Sequence, residues 1–331
     1  MKKIGIPVKK FTWKRYPAFS SIKKNILDAI DGDVIIASKL MPTSFGIGIK
    51  KKYLSGKPLI VDIDDWELGF FLHSGLFGSI GRSLNFSNPN GLPYVWRMER
   101  LVHFADAISV SNRFLQKKFS GTLLPHCRDT SVLDPIKFDS NKIKGELGFP
   151  GKKILMFLGT PRPHKGIDDL LSAFKKNEDL DLRLVIIGVE NQTEFLKGVH
   201  SSIRDRVVVL SKIPFDKLPK YLSAADIIAI PQRLTSDSIG QIPARLFDAM
   251  AMGKPIIATR ISDIPEVLGG YGYLVDPNDP SQLAGAIQYI MKHPDEAQLK
   301  GFAARERCKQ MYDIHNLESG LCKLVEQVKE K

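Results

Sequence analysis

Two stretches of the chain carry charged side chains at spacings that suit an anion. In Gln241-Ile242-Pro243-Ala244-Arg245-Leu246-Phe247-Asp248 a polar loop runs into a helical pattern that closes at Gly253. Pro243 suits a first helical turn, where no backbone N–H is needed, and Gly253 supplies a left-handed stop. Arg245 and Asp248, three apart, share one side of that helix. A helix N-terminus facing a crevice attracts an anion, and a carboxylate one turn deeper can accept hydrogen bonds from ribose hydroxyls. Phosphate first and sugar second along one helix points to a nucleotide. The other stretch is Gly159-Thr160-Pro161-Arg162-Pro163-His164-Lys165-Gly166. Its glycine permits close backbone approach, and Arg162 and Lys165 place forked and mobile positive charge just before a helix. A third group, Asp62, Asp64 and Asp65, ends an apolar run. Three carboxylates at a strand end could bind a metal, but they more often cap the following loop, and no metal is expected.

The elements that position these groups read as an α/β protein of two lobes. In the first lobe, Asp33–Ser38, Pro58–Ile63, Ala105–Ser111 and Thr122–Pro125 are short apolar runs of the kind found in buried parallel strands, with Lys2–Val8 as a further short strand. Helices are predicted near Ser21–Ile30 and over Tyr94–Phe104, with a loop or short helices between Trp66 and Pro93. The second lobe alternates strand and helix: strands at Lys153–Leu158, Arg183–Gly188, Val207–Leu210, Ile227–Pro231, Pro255–Thr259 and Tyr273–Val275. That is the doubly wound pattern, whose ligands bind at the carboxyl ends of the strands. Two amphipathic helices, near Pro294–Met311 and Ile314–Lys329, end the chain.

The 241–255 stretch resembles the donor-binding signature of the retaining GT-B glycosyltransferases, the "glycosyl transferases group 1" family, in its Pro-x-Lys/Arg-Leu-Phe-Glu form. The 159–166 turn resembles the same family's Gly-Arg-x-x-x-x-Lys-Gly element, with Lys165 in register, Thr160 at the usual arginine position and Arg162 as the substitute. Further matches in the same order are Ser211-Lys212-Ile213-Pro214, Tyr221–Asp226 and Asp263-Ile264-Pro265-Glu266. The resemblance implies two Rossmann-like lobes with parallel sheets flanked by helices. They would be a smaller acceptor-side lobe over residues 1–140, a nucleotide-sugar lobe over 151–312, and a last helix, 313–331, returning to the first lobe. It implies Lys165 and Arg162 as catalytic cations. Donor contacts would come from Gly159, Thr160, Gly166, Ile213, Pro214, Gln241, Ile242, Arg245 and Asp248, and acceptor-side contacts from Asp64 and Asp65. The family carries a further glutamate where this chain has Gly240. It also opens with a glycine-rich loop that has no counterpart after Lys2–Val8, so the first sheet is expected to have fewer strands than the second.

Composition sets the remaining bounds. The 331 residues suit two lobes, and 43% hydrophobic with 25% charged residues is ordinary for a globular protein. Cys127, Cys308 and Cys322 fit no metal spacing and read as reduced structural thiols. No apolar run reaches membrane-span length, so a cytoplasmic protein is expected. Residues 1–150 carry 23 Lys and Arg against 13 Asp and Glu, which places about +10 of the formal +12 there. An anionic membrane surface, a solvated face and nucleic acid are the alternatives for this excess. The chain has no nucleic-acid motif, so a peripheral position at the inner face of a membrane is weighed against plain solvation.

Together these readings give a metal-independent and cofactor-free transferase. It would move a sugar from a nucleotide-sugar donor to a glycan or lipid-linked acceptor in polysaccharide or glycolipid synthesis. The rivals are a non-catalytic nucleotide-sugar binder and a phosphorylase or epimerase on the same architecture.

Overall fold

The computed structural model describes residues 6–72 and 85–330. The chain forms two compact units. One comprises residues up to Pro125 with Thr235–Gln241 and Leu317–Lys331, the other His126–Leu234 with Ile242–Asn316. The first unit thus ends at Pro125 instead of near residue 140, and the short loop ahead of the Ala244–Ala251 helix belongs to it.

In the first unit, β1 (Ile35–Ser38), β2 (Leu59–Ile63), β3 (Ala107–Val110) and β4 (Thr122–Leu123) form a parallel sheet in the order β1-β2-β3-β4. Ile35 pairs with Leu59, Ile60 with Ala107 and Ser109 with Thr122. β2 is apolar almost throughout because both of its faces are covered. Leu59, Val61 and Ile63 pack with Phe45, Met98 and Leu115, whereas Ile60 faces Leu324 and Val328 of the last helix, Ile314–Lys329. That helix is the cover for the second face of the sheet. Of the strand expected at Lys2–Val8, residues 2–5 lie outside the described residues and 6–8 pair with no strand; His73 also lies outside them.

The second unit carries six parallel strands: β5 (Lys153–Leu158), β6 (Leu182–Ile187), β7 (Val207–Leu210), β8 (Ile227–Ile230), β9 (Ile256–Thr259) and β10 (Tyr273–Val275). Their order is β10-β9-β8-β5-β6-β7, so the chain direction across the sheet reverses between β5 and β8. Two clusters fill its faces. Met156, Ile228 and Ile256 point toward the Ala244–Ala251 helix, and Leu155, Phe157 and Ile257 toward Ile167–Lys175 and Pro280–Lys292. Among the described residues the first sheet has four strands and the second six.

The role of the last helix as a sheet cover can be measured. Leu324→Ala removes a buried anchor over Ile60 and is expected to cost about 2–5 kcal/mol in urea unfolding. An unchanged midpoint would mean that the helix does not hold the sheet.

Candidate functional site

The second sheet presents its ligand-facing edge where β5 and β8 separate. Gly166 lies at φ 69°, and a Cβ there would sit 1.6 Å from the carbonyl oxygen of Pro231. Only glycine lets the 159–166 turn pack against the end of β8. The same contact is reinforced by Arg233, whose N–H donates to the His164 carbonyl at 2.9 Å and whose side chain makes a bidentate pair with Asp169 at 2.7 Å. Lys165 is thereby held at the mouth of the sheet.

Arg245 arrives there from the helix Ala244–Ala251. Its Nη1 donates to the Leu158 carbonyl at 2.6 Å, and its guanidinium carbon lies 4.7 Å from the Phe157 ring centroid. Nε and Nη2 are buried without a partner. A Cβ placed on Gly159 would lie 3.3 Å from Arg245 Nη1 and 3.4 Å from Lys165 Nζ, so the two cations converge over that glycine. Burial, then the charges of Arg245 and Arg162, lowers the Lys165 ammonium to about 8, and burial alone lowers Arg245 to about 10. Positive groups pressed together out of water, with donors unspent, favour an anion.

Other buried polar atoms without partners lie along the same edge. Neither amide atom of Gln232, just beyond β8, has a partner, nor do Thr259 Oγ1 at the end of β9 and Ser262 Oγ after it. Buried polar groups are nearly always paired, so such a row along one edge marks a place for a polar ligand. Sequence reasoning passed over all three, because single Gln, Thr and Ser residues after strands look like ordinary turn chemistry.

Asp248 sits one turn along from Arg245, as the spacing predicted, but one of its oxygens is already taken. Arg128 Nε donates to Asp248 Oδ1, while its Nη1 and Nη2 reach the carbonyls of Cys127 and Ala244 at 2.8 and 2.9 Å. Burial raises the Asp248 carboxyl, and Arg128 pulls it back down. No local pattern could link residues 128 and 248. Ile242, expected as a donor contact, has its side chain buried in the core with Leu246 and Met250. Ile213 packs partly buried against that core, Pro214 precedes the turn Phe215–Lys217, and Thr160 and Arg162 are exposed.

The remaining candidates lie in the first unit. Lys39 Nζ is 3.3 Å from Asp64, 3.0 Å from Asp65 and 2.7 Å from Glu67, so an ammonium fills the space among three carboxylates whose ligand atoms lie within 4.8 Å of one another. Burial raises the Asp64 and Glu67 carboxyls; the Lys39 ammonium, although burial opposes it, is raised by its hydrogen bonds to Glu67 and Asp65. Gln241, read as a donor contact, donates its amide to Asp65 at 2.8 Å. Asp62 accepts from Ser109 at 2.6 Å, as a strand-end acid that secures its neighbour does. At Gly240 a Cβ would lie 2.4 Å from Trp66 Cβ, and the Gly240 carbonyl accepts from Asn112 at 3.1 Å. Trp66 leaves no room at this position for the acid that the resembled family carries.

Residues 152–293 match the family model described as "Glycosyl transferases group 1". N-acetyl-alpha-D-glucosaminyl L-malate synthase of Bacillus anthracis is 29% identical over 191 residues, covering 55% of this chain and 48% of the relative. The chain spans about half the length, or less, of such curated relatives. Among solved structures, sucrose-phosphate synthase from Thermosynechococcus elongatus superposes with a TM-score of 0.76 at 19% identity, covering 95% of this chain and 78% of that one. Anabaena HepE in complex with UDP-glucose gives 0.75 at 17%, covering 98% and 86%. At such identities the likeness concerns the fold, two parallel sheets flanked by helices, as in GT-B glycosyltransferases. The match to the glycosyl transferases group 1 family model covers residues 152–293, less than half of the 331-residue chain.

Proposed function

We propose that this chain transfers a sugar from a nucleoside-diphosphate sugar to a hydroxyl acceptor with retention at the anomeric carbon. The observation that carries this reading is the pair of cations, half-buried Lys165 and buried Arg245, converging over Gly159 with guanidinium donors unspent. A diphosphate at that point would accept from both. As the bond from the anomeric carbon to the diphosphate oxygen breaks, negative charge grows on the leaving group, and fixed cations stabilise it without reorganising. The acceptor oxygen attacks from the face that the diphosphate leaves, and its proton passes to a phosphate oxygen, so no separate protein base is required. Gln232, Thr259 and Ser262 supply hydrogen-bonding groups for the sugar and ribose beside the free oxygen of Asp248. The UDP-glucose complex of the HepE neighbour supports a nucleotide-sugar donor, and glycosyltransferases among the relatives support the reaction class. The reaction is read as metal-independent, because the Lys39 ammonium already occupies the space among the acids of the first unit's cluster.

An exposed segment favours a second reading, of place as opposed to chemistry. Phe11 (40% exposed) and Trp13 (55%) lie between Lys9-Lys10 and Lys14-Arg15 on an exposed segment outside helix and strand. Aromatic rings among basic side chains suit the headgroup region of an anionic bilayer, where each cation contributes about 1 kcal/mol. No described helix is long and apolar enough to cross a membrane. On the strength of the basic aromatic segment, the acceptor is read as glycan or lipid-linked, met at the inner face of a membrane.

Lys165→Ala is expected to lower turnover of a nucleotide sugar by roughly a hundredfold, the scale for one preorganised charge-stabilising group. Near-normal turnover in a steady-state assay would remove Lys165 from its role. The pH dependence has a definite sign. A diphosphate favours the ammonium, which the free protein loses above about 8, so binding takes up a proton there. UDP affinity by calorimetry should be nearly level from pH 7 to 8 and then fall, by up to about tenfold per unit. Lys165→Met should flatten that fall, and a profile unchanged by the substitution would contradict the assignment. For the membrane reading, the protein should sediment with vesicles of anionic lipid at low salt and release as salt shortens the screening length. Absence of binding at low salt would leave the segment as a solvated face.

A further inference from the structure

The second unit has another cavity, on the opposite edge of its sheet. It holds about 370 Å³ and is lined by residues at or just before the starts of β5, β8 and β9, namely Lys153, Asp226 and Lys254, together with the ends of two helices, Pro280–Lys292 and Pro294–Met311. It is therefore separate from the edge where Lys165 and Arg245 meet. Its volume falls within the range of small-molecule sites.

The charges in this cavity do not balance. Asp226 is its one acid, and its oxygens are spent: Lys144 reaches it at 2.6 Å, Lys153 at 3.4 Å and the Ile154 N–H at 2.8 Å. Lys254 Nζ donates to the Ser223 carbonyl at 2.7 Å and makes no further hydrogen bond among the described residues. An ammonium has three N–H donors, so Lys254 brings spare donors and a charge in no direct ion pair among the described residues. The lining also includes the apolar side chains of Phe138, Met252, Ile290, Met291 and Phe302. A cation with unspent donors in a cavity lined by such side chains suits a ligand with one anionic end and one apolar end.

We infer that this cavity is a second ligand site, which takes a small amphipathic anion with its carboxylate or phosphate on Lys254 and its hydrocarbon body against Phe138, Met291 and Phe302. Nothing in this assignment depends on the donor-site reading. The lysine's state gives the site a pH signature. Burial, followed by the charge of Lys144, outweighs the attraction of Asp226 and lowers Lys254 to about 8. Anion binding needs the ammonium, so it should be strongest below that value and weaken above it.

The test uses the full chain carrying Lys165→Ala, which disables the other cationic site, and titrates octanoate, octyl phosphate and octanol by calorimetry. At pH 7 at least one of the two anions should bind saturably, one per chain, and at least about tenfold more tightly than octanol. Whichever binds better identifies a carboxylate or a phosphate as the natural head group. That affinity should fall about tenfold by pH 9, where roughly a tenth of an amine with that pKa stays protonated. Adding Lys254→Met should remove the preference for anions over octanol. Gln298→Trp, at an exposed position on the rim, should block all three ligands while leaving the fold intact by circular dichroism. Octanol binding as tightly as both anions, or undiminished anion binding in both variants, would overturn the inference, as would no anion binding up to millimolar concentration.

Discussion

The interaction on which the rest depends is the burial of Arg245 without a counter-ion. A guanidinium taken out of water loses several kcal/mol of hydration, and one carbonyl with one aromatic face returns only part of it. The helix Ala244–Ala251 can carry that charge because nearly every other residue on it is apolar and fixed in the core. An anion at the donors that the protein leaves open would recover the unreturned part. Lys165, held by the glycine at 166, meets the same requirement from the other side. The second unit is in this sense a rigid apolar support for two cations that are incomplete until a ligand arrives.

The elements legible in the sequence are those whose signal is local. β5, β7 and β10 fall at the expected residues, β8 and β9 differ by a residue at one end and β6 is shifted by one residue, because buried parallel strands are short apolar runs between turn residues. Both final helices also fall where their pattern placed them. In the first unit the four central strands are legible for the same reason, each a little shorter than its apolar run. Hydrophobic periodicity shows where a segment is buried but not what its polar groups touch.

Contacts between distant residues were not legible. Arg128 meets Asp248 across a separation of 120 residues, Gln241 meets Asp65 across 176, and Lys39 reaches Glu67 across 28. None belongs to a motif with a fixed spacing, and each changes the chemistry of a residue that was readable alone. Asp248 reads as a free acceptor until Arg128 is placed beside it. The acidic group at 64, 65 and 67 reads as a possible cation site until an ammonium is found in its centre. Gly240 carried a warning in the sequence, since it stands where an acid was expected, but the reason, the backbone pressed against Trp66, needed the fold.

These pairings change how polar work is shared at the ligand edge. With one oxygen of Asp248 held by Arg128, the carboxylate expected there contributes less than the sequence pattern implied. Neutral groups stand in the gap: the Gln232 amide and the Thr259 and Ser262 hydroxyls, all buried and all without partners. Such groups cost free energy while they are empty, and a neutral donor and acceptor can match sugar hydroxyls without adding charge beside a diphosphate. An edge made of cations and neutral hydrogen-bonding groups, with its one nearby acid already paired, is thus suited to a ligand that brings its own negative charge at one end and hydroxyls at the other.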